Sequence, residues 1–227
     1  MRNAQLLLMI LLACIMVDAN AALEWIGGPD FDCSDAITAD NVYALEQYYR
    51  PVRTINGQGL DSTGMLHELS SQYNSALVDT TEIAGSTDPA VTLNPAGIEG
   101  PAWFSWTFDQ AYDIQEMWVW NYNLYGTNGS YLLRGLKDVS IHYNDGTSWQ
   151  YFGDYTLAKG LGVADMPHGD EIPLNITATG ILMTPKTVEG NYGSTFYGLS
   201  EVRFIVPEPA TMVLFGIGAI LARKRFI

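Results

Sequence analysis

The chain has 227 residues, 48% of them apolar and 12% aromatic, and a formal net charge of −14. That is material for one core of ordinary size, and it is too aromatic for a disordered chain. Eleven Lys and Arg against 25 Asp and Glu argue against nucleic acid as a partner, because affinity for phosphate backbones comes from cations displacing counterions.

Residues 1–22 read as a secretory signal peptide: Arg2 in a short leading region, an apolar run from Leu6 to Val17, and Ala19-Asn20-Ala21 as a small-x-small cleavage site. The run is about a dozen residues, short of the roughly 20 that span a bilayer. Leu11-Leu12-Ala13-Cys14 also loosely resembles a lipobox, a variant reading in which Cys14 carries lipid. Cleavage after Ala21 instead discards Cys14 and leaves Cys33 alone, so no disulfide holds the exported domain. Residues 23–64 form a less regular N-terminal extension, with one short helix expected over Ala39 to Tyr49 and a loop at Asn56-Gly57-Gln58-Gly59. Without its two ends the chain keeps seven Lys and Arg against 23 Asp and Glu over residues 23–206, a net charge of −16.

From residue 65 the chain shows short β-branched and aromatic stretches separated by turn formers. Strands are expected at Trp103 to Phe108, Ile114 to Tyr122, Leu136 to Tyr143, Ser148 to Phe152, Ile181 to Thr184 and Leu199 to Val206. In Lys137 to Tyr143, alternation puts Val139, Ile141 and Tyr143 on one face and Asp138, Ser140 and His142 on the outward one. Asn144-Asp145-Gly146-Thr147 then supplies a tight hairpin turn. Strands alternating with turns, without helical crossovers, predict an all-β antiparallel sandwich.

Several of these segments occur in an order that resembles the discoidin or coagulation-factor type C family. They are Trp103-Phe104-Ser105-Trp106-Thr107-Phe108-Asp109, Trp118-Val119-Trp120-Asn121-Tyr122-Asn123, Arg134-Gly135-Leu136-Lys137-Asp138-Val139, Tyr143 to Trp149, the strand at Ile181, and Tyr197-Gly198-Leu199-Ser200-Glu201-Val202-Arg203-Phe204. The resemblance covers residues 65–206. It implies a galactose-binding-like jelly roll of about eight antiparallel strands whose members mostly bind glycans, lipids or proteins.

Sugar recognition needs aromatic faces for pyranose C–H patches and amides, carboxylates or Arg for hydroxyls. The loop from Asn121 to Arg134 offers both, with Tyr122, Tyr125 and Tyr131 beside Asn121, Asn123 and Arg134; so does the glycine-rich loop of Asn191, Tyr192, Phe196 and Tyr197. These ten residues are the expected ligand site; the alternative is that Tyr122 or Tyr197 buries its ring and that Arg134 pairs internally with Asp138 or Asp113. The resemblance further implies a structural calcium ion held by an Asp-containing loop and a closing glutamate, here Asp79, Asp88 and Glu201, although the compact Asp-Gly-x-x-x-Thr-x-Trp arrangement is missing. No HExxH, nucleophile elbow or phosphate loop occurs, and nothing singles out a catalytic carboxylate pair. The expectation is a binding module without catalysis.

Pro207-Glu208-Pro209 precedes an apolar stretch from Ala210 to Ala222 and the basic cluster Arg223-Lys224-Arg225. Thirteen residues reach about 20 Å as a helix, against a hydrocarbon core of about 30 Å, so this is a marginal transmembrane anchor. The order resembles the PEP-CTERM sorting signal of exopolysaccharide-producing Gram-negative bacteria, over residues 207–227. That resemblance implies an exosortase as partner, a transient membrane anchor, and delivery to the outer surface or matrix. Terminal helices, one in the signal and one in the tail, are expected to flank the sandwich. The functional expectation is an exported module for carbohydrate or exopolysaccharide; the alternative is a structural or adhesive surface protein with protein partners.

Overall fold

The structure is a computed structural model, and it describes residues 24–26, 32–41, 51–69, 76–79, 94–98, 102–186, 191–194 and 196–207. The expected signal and tail helices lie outside these residues. Among the described residues no helix is long and apolar enough to cross a membrane. The chain divides into two units, one of them Trp25–Val206, which carries the fold.

Among the described residues ten strands appear in chain order: β1 (Glu24–Trp25), β2 (Ile37–Asn41), β3 (Leu66–His67), β4 (Ala76–Asp79), β5 (Phe104–Asn121), β6 (Asp138–Asn144), β7 (Trp149–Thr156), β8 (Met166–Pro167), β9 (Asp170–Pro185) and β10 (Phe196–Val206). Eight of them follow the order β1-β10-β5-β9-β6-β7, with β2 added to β5 and β4 to β10, while β3 and β8 form a separate small ladder. The recorded pairings are antiparallel. The all-β sandwich is therefore present, and the pieces expected at Trp103–Phe108 and Ile114–Tyr122 are one continuous strand.

That strand serves two layers. Its first part, Phe104–Phe108, pairs with β2 on one side and with residues 180–183 of β9 on the other. Its second part pairs with β10 and with residues 170–178 of β9. Between them the register jumps from Thr107↔Gly180 to Tyr112↔Ala178, so β5 carries extra residues, and bulges of this kind bend a strand. One hydrophobic core joins the layers: Phe104, Trp106, Phe108, Val139, Ile141, Ile181 and Met183 meet Met117, Val119, Val202 and Phe204. The Phe204 ring contacts Phe108 and Trp106 edge-on, with centroids 5.1 and 5.8 Å apart. Truncating any of these rings removes roughly 3–5 kcal/mol.

The opposite face of the second layer is also covered. Trp118 and Trp120 alternate with Met117 and Val119 and pack with Trp25, Met166 and Ile205, with Leu60 against them. By register, Glu201 lies opposite Trp120 and Arg203 opposite Trp118, so a charged pair shares this face. The Arg203 guanidinium meets Glu201 Oε1 at 2.8 Å, and both side chains are fully buried. Residues of the described segments 32–41 and 51–67 close over them. Arg203 donates to the Ile55 carbonyl and the Cys33 sulfur, and the Gly57 N–H donates to Glu201 Oε1. Cys33 is free and buried, and burial pushes its thiol up to about 11.

Two local expectations are corrected. Residues 37–41 form β2 rather than the start of a helix, because pairing with β5 from Ile37↔Phe108 to Asn41↔Phe104 satisfies their backbone; the rest of the expected helix, 42–50, lies outside the described residues. His142 does not face water. A register irregularity at Ile141/His142 and the Tyr151 ring, 5.4 Å away, bury it, and desolvation lowers its pKa. The hairpin turn at 144–147 is as expected: Asp145 Oδ1 accepts the N–H groups of Thr147 and Ser148. The Thr147 hydroxyl, which also donates to Oδ1, and these two N–H groups hold its carboxyl down to about 2.

Candidate functional site

Three loops meet at one end of the sandwich. The first leaves β5 at Asn121 and includes the 3-10 segment Thr127–Arg134, which contains left-handed backbone at Asn128 and Gly129. The second precedes β10 and includes Asn191–Ser194. The third, residues 157–165, joins β7 to β8. Backbone contacts tie the first two, through a Leu136↔Asn191 bridge, a Gly135↔Gly198 bridge and a hydrogen bond from the Tyr192 N–H to the Leu133 carbonyl at 3.2 Å. The Tyr192 hydroxyl donates to the Leu157 carbonyl and ties in the third. Gly160 is needed where this loop crosses the first, since a Cβ there would sit 2.2 Å from the Tyr122 carbonyl oxygen.

The ten residues expected to bind ligand are thus brought together, and they separate into two sets. Asn121, Asn123 and Asn191 are buried and spend their amides on the loops. Asn121 donates to the carbonyls of Leu136 (2.6 Å) and Ala158 (2.7 Å) and accepts the Tyr122 N–H (2.8 Å). Asn123 donates to the carbonyls of Val163 (2.8 Å) and Glu68 (3.2 Å) and accepts the Gly162 N–H (2.7 Å). Asn191 donates to the carbonyls of Ser194 and Phe196 and accepts the N–H groups of Gly193 and Ser194. Tyr122 and Tyr197 are enclosed at 0% and 1% exposure, and burial pushes the Tyr197 phenol up to about 12. A side chain with its polar atoms already engaged inside the protein has little left for a ligand.

The second set faces outward. Tyr125 and Tyr131 are 46% and 38% exposed, and Tyr192 and Phe196 are half-buried. The Arg134 guanidinium lies over the Tyr131 ring at 4.0 Å and the Phe196 ring at 4.4 Å. It does not join Asp138 or Asp113, which accept hydrogen bonds from Thr156 and Thr177. Lys159 Nζ stands 5.7 Å from the Tyr192 ring centroid. Lys159 escaped the sequence reading because nothing in its own neighbourhood along the chain marks it; only the Tyr192 contact does. Leu161 and Val163 of the same loop are exposed as well.

For calcium, Asp88 lies outside the described residues and of Asp79 only the backbone is described, in β4 opposite Phe196. The third residue, Glu201, is buried against Arg203, which already supplies a positive charge there. Among the described residues no group of three His, Cys, Asp or Glu is placed to hold a metal ion, so they do not by themselves make a calcium cage.

An open cleft is lined by Asp138, Asp154, Tyr155, Thr156 and Lys186. Asp154 pairs with Lys186 and Asp138 with Lys137. Hydrogen bonds, from Lys186 and Ser140 to Asp154 and from Thr156 to Asp138, hold both carboxyls below the usual range. Glycoside hydrolysis needs one carboxyl kept protonated as the acid, and neither of these is.

Of the sorting motif only Pro207 is described; Glu208, Pro209, Arg223, Lys224 and Arg225 lie outside the described residues. Residues 206–225 match the family model of the PEP-CTERM protein-sorting motif, so the C-terminus carries that motif. No curated protein matches the chain. Among solved structures, the chain is similar to an F5/8 type C domain from Bacteroides fragilis, at 14% identity and a TM-score of 0.48 over 84% of this chain and 99% of that one. It is also similar to the family 32 carbohydrate-binding module of Streptococcus pneumoniae EndoD, at 13% identity and a TM-score of 0.43 over 74% and 94%. A third is the family 32 module of Clostridium perfringens NanJ in complex with galactose, at 13% identity and a TM-score of 0.43 over 74% and 93%.

Proposed function

We propose that this is an exported, non-catalytic module that binds carbohydrate or extracellular polysaccharide through the ring-bearing loop end. Its C-terminal segment is read by an exosortase that places it on the outer surface or in the matrix of a Gram-negative cell. The observation that carries the reading is the convergence of three loops that leave Tyr125, Tyr131, Tyr192 and Phe196 facing outward. Buried Asn121, Asn123 and Asn191 fix the loop backbones beneath. Rigidly backed rings suit the C–H faces of a pyranose, since little entropy is lost when a sugar stacks on them.

The test is binding of surface polysaccharides by the purified chain, wild type and Tyr125→Ala/Tyr131→Ala. Binding that the double variant loses supports the reading; no binding to any polysaccharide overturns it. Exposed Leu161 and Val163 favour a second reading, an adhesive surface with protein partners, and binding that survives deglycosylation of the target would move the assignment there. For the tail, the intact mass of the surface-delivered protein decides: a product that keeps Arg223 to Arg225 overturns processing. Calcium at Asp79, Asp88 and Glu201 is a separate proposal. A thermal midpoint that falls by several degrees in EDTA supports it, and an unchanged midpoint removes it.

A further inference from the structure

From the placement of Arg134 and Lys159 we infer that the saccharide taken by this loop end is acidic, a uronate or similarly carboxylated sugar; this rests on the carbohydrate reading above. Cations are scarce in a fold segment with a net charge of −16, and three of the six described ones are already matched to carboxylates. Lys137 pairs with Asp138, Lys186 with Asp154 and Arg203 with Glu201. Arg134 and Lys159 differ. Among the described residues each meets aromatic rings and no carboxylate, and both belong to the loop cluster.

Tyr192 links the two loops that carry them. Its N–H is bonded to the carbonyl of Leu133, the residue next to Arg134, and its ring carries Lys159. Stacking occupies the face of a guanidinium and leaves the N–H donors in its plane for a planar oxyanion, a geometry that suits a carboxylate in two-point contact. The acids that act on Tyr192, Asp170 and Asp138, are already engaged. Asp170 accepts the Ala158 N–H, and burial raises its pKa towards the neutral form, while Asp138 takes Thr156 and Lys137. The other surface carboxylates repel an acidic polymer weakly where they stand more than a Debye length of about 8 Å away. Local contact therefore decides, and the rings take the pyranose face while the two cations take its carboxylate.

The experiment measures binding of the full chain to polygalacturonate, alginate and hyaluronan, each beside its own carboxyl-reduced neutral form, with wild type, Arg134→Gln, Lys159→Gln and Tyr125→Ala. The expected result is that at least one native polymer binds and that its reduced form binds at least tenfold more weakly. Arg134→Gln and Lys159→Gln should each lose about tenfold on the native polymer only, and Tyr125→Ala should weaken both forms. Equal binding of native and reduced polymers overturns the acidic assignment while leaving the carbohydrate reading intact, as does full native affinity in both glutamine variants. Binding of neither form, here and across neutral polysaccharides, overturns both. Thermal midpoints of the variants within about 2 °C of wild type exclude misfolding as the cause, since neither cation is buried.

Discussion

Two sets of polar and aromatic residues share one end of this sandwich and do opposite work. Asn121, Asn123, Asn191, Tyr122 and Tyr197 point into the protein, while Tyr125, Tyr131, Arg134, Lys159, Tyr192 and Phe196 leave it. The difference teaches that an amide-rich loop is not in itself a ligand site. Three loops without a ladder between them have unpaired backbone groups, and buried asparagines are a compact means of satisfying them, Asn121 and Asn123 by bridging separate segments and Asn191 by closing its own loop. The outward set can then present rings from a stiff base.

Breaking the buried set should cost stability, and breaking the exposed one should cost binding. The largest effect is expected from Arg203→Ala, on the covered face of the second layer. It strands the Glu201 carboxylate among apolar groups and should lower unfolding free energy by roughly 3–5 kcal/mol, read by denaturant titration; a loss under about 1 kcal/mol would mean that water reaches the pair. Next comes Asn123→Ala, which orphans the Glu68 and Val163 carbonyls and the Gly162 N–H together. It should cost on the order of 3 kcal/mol, and unchanged stability with lost sugar binding would move Asn123 to the ligand set.

The third is a pH effect. Tyr197 has a folded pKa raised to about 12 by burial, so the unfolded chain loses this proton first, near 10. The contribution of Tyr197 is complete below about pH 10 and is lost as pH rises towards 12. Tyr197→Phe should flatten that decline in the alkaline unfolding profile. The smallest effect on stability belongs to Tyr125→Ala, within about 0.5 kcal/mol, with up to about a tenfold loss in sugar affinity. A Tm shift of several degrees there would erase the distinction between the two sets.

Much of the architecture was legible. Alternation located β6, β-branched and aromatic content located β10, and the Asx and Gly residues placed the 144–147 turn. What escaped depends on partners distant in the chain. Nothing local says that β5 runs unbroken through a bulge into a second layer, because the bend is set by pairing with β9. Ala39 to Tyr49 has helical composition, yet Ile37–Asn41 is drawn into the sheet by Phe104–Phe108. The candidate loops were found from their aromatic and amide content, but content is blind to direction: Asn121 and Tyr125 look equally suited to a sugar, and only burial separates them. Lys159 was missed for the same reason, since its meaning comes from a tyrosine 33 positions later.

The buried Arg203 also bears on timing. Its partners Cys33 and Ile55 stand 170 and 148 residues before it, and its strand, β10, pairs with both β4 and β5. A chain made from its N-terminus cannot close this sandwich until β10 has been synthesised, and Pro207 follows β10 directly. Closure waits on the most distant contacts, which are also the slowest to form. Such a chain remains threadable through a narrow channel for almost its whole length, and it becomes able to fold only as the sorting motif is about to emerge.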